Sequence, residues 1–317
     1  MGSIDLRKSL FMKRLLLLQI FILKALWIPA QQPAGTGDSE QWFSRSREQI
    51  RVNEEKMMFE ENLQIFREGH RKGFFYFLHP AIPRCKPYLD FSEFEALVEA
   101  DRELHQEALE QARTIYQVQI PTGYSPEYDY PLFIIFHGGN SNLQKVKMHW
   151  KEESLDQQFI KVYLQSYRCF DSESYTWRSG DPRSDNDLLG IYNEIMDAYP
   201  IDSSRVVVAG ISAGANYAIG MALRGVIPVS GFLAFCPGLP GEMQSDNLLS
   251  DLRSDIRGYI LGGEYDFYLE EQAKLTKVFD QMGLEYLYLI EEQMYHQYPE
   301  DESMHIRRGL EFISGRE

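Results

Sequence analysis

Gly210, Ile211, Ser212, Ala213 and Gly214 stand between a β-branched apolar run at residues 205–209 and a stretch of small, helix-tolerant residues. Glycine on either side of a serine at such a junction lets the backbone turn sharply from strand to helix, which leaves the hydroxyl at the tip of the turn. The chemistry open to that serine is nucleophilic attack on an acyl carbon. Alone it is a weak nucleophile, so a base must take its proton and an acid must orient the base. The helix that starts beneath it offers free N–H groups to a developing anion.

When a serine at this kind of turn is activated, the acid and then the histidine follow it in the chain. Of seven histidines only His296 and His305 come after Ser212. His305 falls inside ESMHIRRGLEFI, which reads as a terminal helix. His296 sits beyond an apolar run and before a proline-containing loop, where a strand-end base belongs, and is the preferred base. Asp266, in GYILGGEYDFY, directly follows an apolar run and two glycines and is the preferred acid; Glu264, two residues nearer the run, is the alternative. Taken singly, Asp266 would read as a turn or cap residue. Its place between the serine and the histidine changes that reading.

An oxyanion needs donors. The N–H of Ala213 is expected to be one. The second is expected from FHGGNSN, where Gly138 and Gly139 allow close backbone approach and Gly139 or Asn140 donates. His137 in that loop is read as a holder of the loop that moves no proton. Trp177 and Arg178 lie in a long polar segment, residues 168–187, and are candidates for lining an acyl or leaving-group pocket; the competing reading is a solvated loop with one packed tryptophan.

These groups need a scaffold. From Tyr116 onward, apolar runs (IYQVQIP, YPLFIIFHGG, FIKVYLQSY, RVVVAG, GFLAFCPG, IRGYILGG, LEYLYLIEE) alternate with helical patterns such as DLLGIYNEIMDAY and YLEEQAKLTKVFDQMG. Strands alternating with helices imply an α/β fold, a mostly parallel doubly wound sheet covered on both faces, with its site at the carboxyl ends of the strands. Upstream, residues 41–113 read as a helical appendage. A first helix runs through SREQIRVNEEKMMFEENLQIFREGH, three prolines in HPAIPRCKPY break it, and a second begins at a capping box formed by Ser92 and Glu95. Residues 31–40 read as a linker and 114–317 as the catalytic domain.

Residues 1–30 have the layout of a secretory signal peptide from Met12 on: two positive charges, an apolar run, then small and proline-containing residues. Export is the expectation, with a cytoplasmic protein as the alternative; Lys24 interrupts the run, which is too short to span a membrane. The net charge of −15 repels a phosphate backbone, and no basic stripe offsets it, so nucleic acid is excluded as a partner. Cys85, Cys169 and Cys236 form no C-x-x-C pair and read as free, mostly buried thiols. No metal motif and no nucleotide-binding glycine motif is present, so catalysis without a cofactor is expected.

With those motifs in place, the span from about 115 to 314 resembles the α/β-hydrolase superfamily, most like its bacterial esterase branch related to phospholipase/carboxylesterases, dienelactone hydrolases and feruloyl esterases. IPTGYSPEYDYPLFIIFHGGNSN, YPIDSSRVVVAGISAGANYA, LGGEYDFYLEEQAKLTKVFDQMG and YHQYP carry the resemblance. It implies a serine hydrolase of small-molecule esters, with Ser212 as nucleophile, Asp266 as acid and His296 as base. Asn140 departs from the third glycine common in lipases, and the core fold does not require the helical appendage. Two rival readings are a prolyl-oligopeptidase-like peptidase, which shares the triad, and a non-catalytic binding protein that uses residues 41–113.

Overall fold

The protein is known from a computed structural model, which describes residues 37–244 and 251–315. The expected signal segment, residues 1–30, lies outside the described residues. The chain divides into two compact units. Among the described residues, one comprises 37–113 together with Tyr167–Tyr175; the other holds Thr114–Ser166, 176–244 and 251–315.

The larger unit is built on a seven-stranded sheet. Its strands are β1 (Ile115–Gln119), β2 (Tyr130–Phe136), β3 (Ile160–Gln165), β6 (Ile201–Ile211), β7 (Gly231–Phe235), β8 (Arg257–Gly263) and β9 (Glu285–Glu291). They lie in the order β1-β3-β2-β6-β7-β8-β9, with β1 antiparallel to β3 and every other pairing parallel. Each of the seven expected strand segments is a strand of this sheet.

Parallel strands covered on both faces read as unbroken apolar runs because both alternating sets of side chains are buried. Here Ile134, Val208 and Ala234 join one core, to which helices Pro182–Ala198, Ala213–Arg224 and Leu269–Met282 contribute Leu188, Ile219 and Leu275. The intervening Phe133, Val207, Leu233 and Tyr259 join the opposite core with Trp150, Leu155 and Ile306. In chain order these helices are α6, α7 and α8. Leu143–Val146 (α4), Glu153–Gln158 (α5) and Glu302–Ser314 (α9) are the unit's other α-helices among the described residues. Among the described residues no helix is long and apolar enough to cross a membrane.

The smaller unit contains helices α1 (Gly37–Glu55), α2 (Phe59–Arg71) and α3 (Phe94–Gln111), a 3-10 helix at Pro83–Tyr88, and a hairpin of β4 (Cys169–Asp171) and β5 (Ser174–Tyr175). Its core is Phe43, Ile50, Leu63, Phe66, Tyr76, Tyr88, Phe94 and their neighbours. Asp101 ties it together: its carboxylate accepts from the N–H groups of Tyr76 (2.6 Å) and Leu78 (2.7 Å) and pairs with His70 (3.0 Å).

Four expectations change in this region. Residues 37–40, read as linker, already belong to α1. The long first helix is two helices, because Met57 adopts φ 59° and the Met58 N–H reaches back to Asn53 O (2.8 Å) while that of Met57 bonds Glu54 O (3.1 Å). That is a left-handed helix stop formed without glycine, so composition does not announce it. The Ser92–Glu95 capping box does not form; α3 starts at Phe94, whose N–H bonds Phe91 O in a preceding turn, and its N-cap Glu93 makes no side-chain cap bond. The polar segment 168–187 is not one loop. Its first part is the hairpin, which the Phe75 N–H holds through Ser172 Oγ at 2.8 Å, and its end is the start of α6 behind Pro182.

Candidate active site

The candidate nucleophile, acid, base and oxyanion loop all emerge from the carboxyl edge of the sheet. Ser212 follows β6, Asp266 follows β8, His296 follows β9, and the Gly138–Asn140 loop follows β2. Two backbone bonds bind neighbouring strand ends together there: Ser212 N–H donates to Phe235 O (2.9 Å) and Cys236 N–H to Leu261 O (2.7 Å).

Ser212 is strained, with φ 55° and ψ −122°, directly before α7. A non-glycine residue in such a conformation costs about 1–3 kcal/mol and persists only where its surroundings dictate it. The flanking glycines do so by allowing contacts that a side chain would forbid. A Cβ on Gly210 would fall 2.5 Å from the backbone carbon of Gly214, and one on Gly214 would fall 2.5 Å from Phe136 O. The turn therefore closes onto itself and onto the end of β2.

Asp266 is fully enclosed, its side chain 0% exposed. Oδ1 accepts from the Tyr268 N–H (2.9 Å) and pairs with His296 Nδ1 (2.8 Å); Oδ2 accepts from Gln272 Nε2 (2.9 Å). Gln272 in turn accepts from the Tyr288 hydroxyl at 3.0 Å, which fixes the orientation of its amide. Burial and the nearby Asp266 charge push the Tyr288 hydroxyl up to about 12, so it remains a donor. His296 keeps an exposed edge and is flanked by the rings of Phe267 (centroids 4.2 Å apart) and Tyr268 (5.3 Å).

The alternatives are occupied elsewhere. His305 lies on α9, with Nδ1 at 2.8 Å from the Tyr259 hydroxyl and Nε2 at 3.1 Å from Glu291. Glu264 accepts from the Gln293 N–H (2.9 Å) and so braces the loop that carries His296.

The loop after β2 lies beside the serine. A Cβ on Gly138 would stand 3.9 Å from Ser212 Cβ, and one on Gly139 would stand 3.7 Å from Ala213 Cβ. Ala213 is the first residue of α7, so its N–H has no partner within the helix. Asn140 takes φ 54°. His137 is completely buried: Nδ1 donates to Gly138 O (2.6 Å) and Nε2 accepts from the Ser166 N–H (3.2 Å). Burial lowers its pKa to about 4, which keeps it neutral in this role.

Trp177 does not stand as an open pocket wall. Trp177 is 4% exposed and packed into the core against Tyr217 (4.8 Å), Phe136 (5.1 Å) and His137 (5.6 Å), because a large indole next to an apolar strand end buries more surface than a rim position would. Arg178 is exposed.

Sequence reasoning did not find Gln272 or Cys236. Gln272 had a signal: it lines up with Leu275 and Phe279 on the core side of α8, where a polar residue needs a partner. Cys236 had none. It follows β7 with φ 48°, is buried, and its thiol donates to Gln297 O at 3.4 Å. Burial, then the Asp266 charge, raises its pKa well above the ordinary thiol value, so it stays protonated.

No protein-family model matches the sequence, and no curated protein matches it. Solved structures do. An uncharacterized protein from Bacillus cereus, known from a crystal structure at 2.75 Å, is 23% identical with a TM-score of 0.55, each chain covered in full. The S-formylglutathione hydrolase from Agrobacterium tumefaciens is 14% identical with a TM-score of 0.53, over 65% of this chain and 91% of its own. Esterase PE8 is 14% identical with a TM-score of 0.51, over 65% of this chain and all of its own. The likeness is one of fold.

Proposed function

On the α/β-hydrolase fold that the sheet and these structures establish, we propose that the chain is a serine hydrolase of carboxylic esters working through an acyl-enzyme. The observation that carries the reading is the strained Ser212 at the same sheet edge as a histidine hydrogen-bonded to a buried carboxylate. In this mechanism Ser212 Oγ attacks the acyl carbon and His296 takes its proton. The Nδ1 bond to Asp266 leaves Nε2 as the accepting nitrogen. Asp266, held by Tyr268 N–H and Gln272, fixes the tautomer and stabilises the imidazolium. Ala213 N–H and a donor from Gly139 or Asn140 face the oxyanion. His296 returns the proton to the leaving alcohol, and then activates the water that releases the acid.

The test is turnover of a panel of short- and long-acyl esters, with aminoacyl amides alongside. Asp266→Asn is expected to lower kcat by about 10⁴-fold through the wrong tautomer, with the fold retained. Ester turnover within a few-fold of native in that variant would overturn the assignment. Faster cleavage of the amides than of the esters would favour the peptidase reading.

A further inference from the structure

One side chain at the Asp266–His296 pair has no part in acyl transfer. Cys236 Sγ, a carboxylate oxygen of Asp266 and an imidazole nitrogen of His296 all lie within 4.8 Å of one another. Thiolate, carboxylate and imidazole are the ligand types of Zn²⁺, bound at about 2.3 Å for sulfur and about 2.0–2.2 Å for nitrogen and oxygen. In a tetrahedron those lengths separate the ligand atoms by roughly 3.3–3.6 Å. The trio therefore has to draw together by little more than about 1 Å at its widest to hold an ion. Access is through the imidazole, which keeps 17% of its side chain exposed while Asp266 keeps none.

We propose that Cys236, Asp266 and His296 form a binding site for Zn²⁺ or its softer congener Cd²⁺, and that an ion held there switches the candidate active site off. The charges and protons balance simply. The Cys236 S–H proton leaves to solvent and a sulfur–metal bond replaces it. The carboxylate exchanges its hydrogen bond to His296 for a metal bond. The imidazole stays neutral and binds through one lone pair: where Nε2 binds, the proton stays on Nδ1, and where Nδ1 binds, its proton passes through solvent to Nε2. Nε2 is then either bound to metal or protonated, and neither form can accept a proton from Ser212. The thiolate makes the site selective: a carboxylate and an imidazole alone offer two ligands, and Mg²⁺ or Ca²⁺ requires six or more, chiefly oxygens.

Binding stands on the cluster alone, whereas the loss of activity rests on the serine-hydrolase reading, so the two are measured apart. Full-length native protein and Ser212→Ala are titrated with Cd²⁺ while the ultraviolet thiolate-to-metal charge-transfer band is followed. Cys236→Ser, Cys236→Ala and His296→Ala are titrated in the same way. In parallel, fluorophosphonate labelling is measured with Zn²⁺, with Mg²⁺, and after a chelator, each protein against its own metal-free rate. Native protein and Ser212→Ala should show the band with one equivalent of Cd²⁺. Either change at Cys236 should remove it, and His296→Ala should weaken binding by about tenfold or more. Zn²⁺ should slow native labelling by about tenfold, reversibly and without effect from Mg²⁺, and this sensitivity should vanish with Cys236. A band indifferent to Cys236, or none, overturns the site. Zn²⁺-insensitive labelling, or equal inhibition by Mg²⁺, overturns the switch. Native protein that shows the Cys236-dependent band but never labels supports the site and overturns the esterase reading instead.

Discussion

His137 shows how a single buried residue can hold the loop after β2. Its ring bridges Gly138 O and the Ser166 N–H in complete burial, and burial lowers its pKa from 6.5 to about 4. The unfolded chain binds a proton at this residue more readily than the folded one. Stability from this source is therefore complete above about pH 6.5, falls as pH drops toward about 4, and changes no further below it. The whole effect is about 3 kcal/mol, of which about 2 kcal/mol is expected between pH 7 and pH 5. Urea unfolding at those two pH values should show native protein losing more stability than His137→Gln by roughly that amount. Equal losses would mean the imidazole is charged, or solvated, in the folded protein.

At the scale of elements, the turn at Ser212 and the stop at Met57 make opposite demands on glycine. Gly214 packs against the Phe136 and His137 carbonyls, so Gly214→Ala forces backbone apart and should destabilise by about 3 kcal/mol or more, beyond ordinary overpacking. Gly139→Ala meets only Thr176 Oγ1 at 3.5 Å and Ala213 Cβ at 3.7 Å, ordinary contacts, and should leave the Tm close to native. A Gly139→Ala protein as unstable as Gly214→Ala would contradict the placement of that loop. Met57 occupies a left-handed position while 78% exposed, a place where glycine carries no penalty. Met57→Gly should stabilise by roughly 0.5–1 kcal/mol in denaturant titration, and a destabilised variant would show that the Met57 side chain contributes packing.

Across the whole molecule, what the sequence disclosed followed the range of the interaction. Strands β2, β3, β6, β7 and β8 were legible because burial on both faces writes itself as continuous apolar residues. Ser212, Asp266 and His296 were legible as candidates because each directly follows or closely trails such a run. Contacts between distant segments were not. Nothing near Cys236 marks it as a neighbour of Asp266, thirty residues on in the chain. Nothing in residues 168–175 shows that a serine there will bond Phe75 and draw the hairpin into the smaller unit. The helix stop at Met57 was hidden because a methionine occupies a glycine's conformation.

The proposed function stands or falls on activation of Ser212 by the His296–Asp266 pair. Labelling with a fluorophosphonate probe tests it most directly, comparing native protein with Ser212→Ala and His296→Ala. Native protein should take up one equivalent of label, Ser212→Ala none, and His296→Ala label at a rate reduced by orders of magnitude. Folded native protein that takes up no label, or label that survives the loss of Ser212, would contradict it.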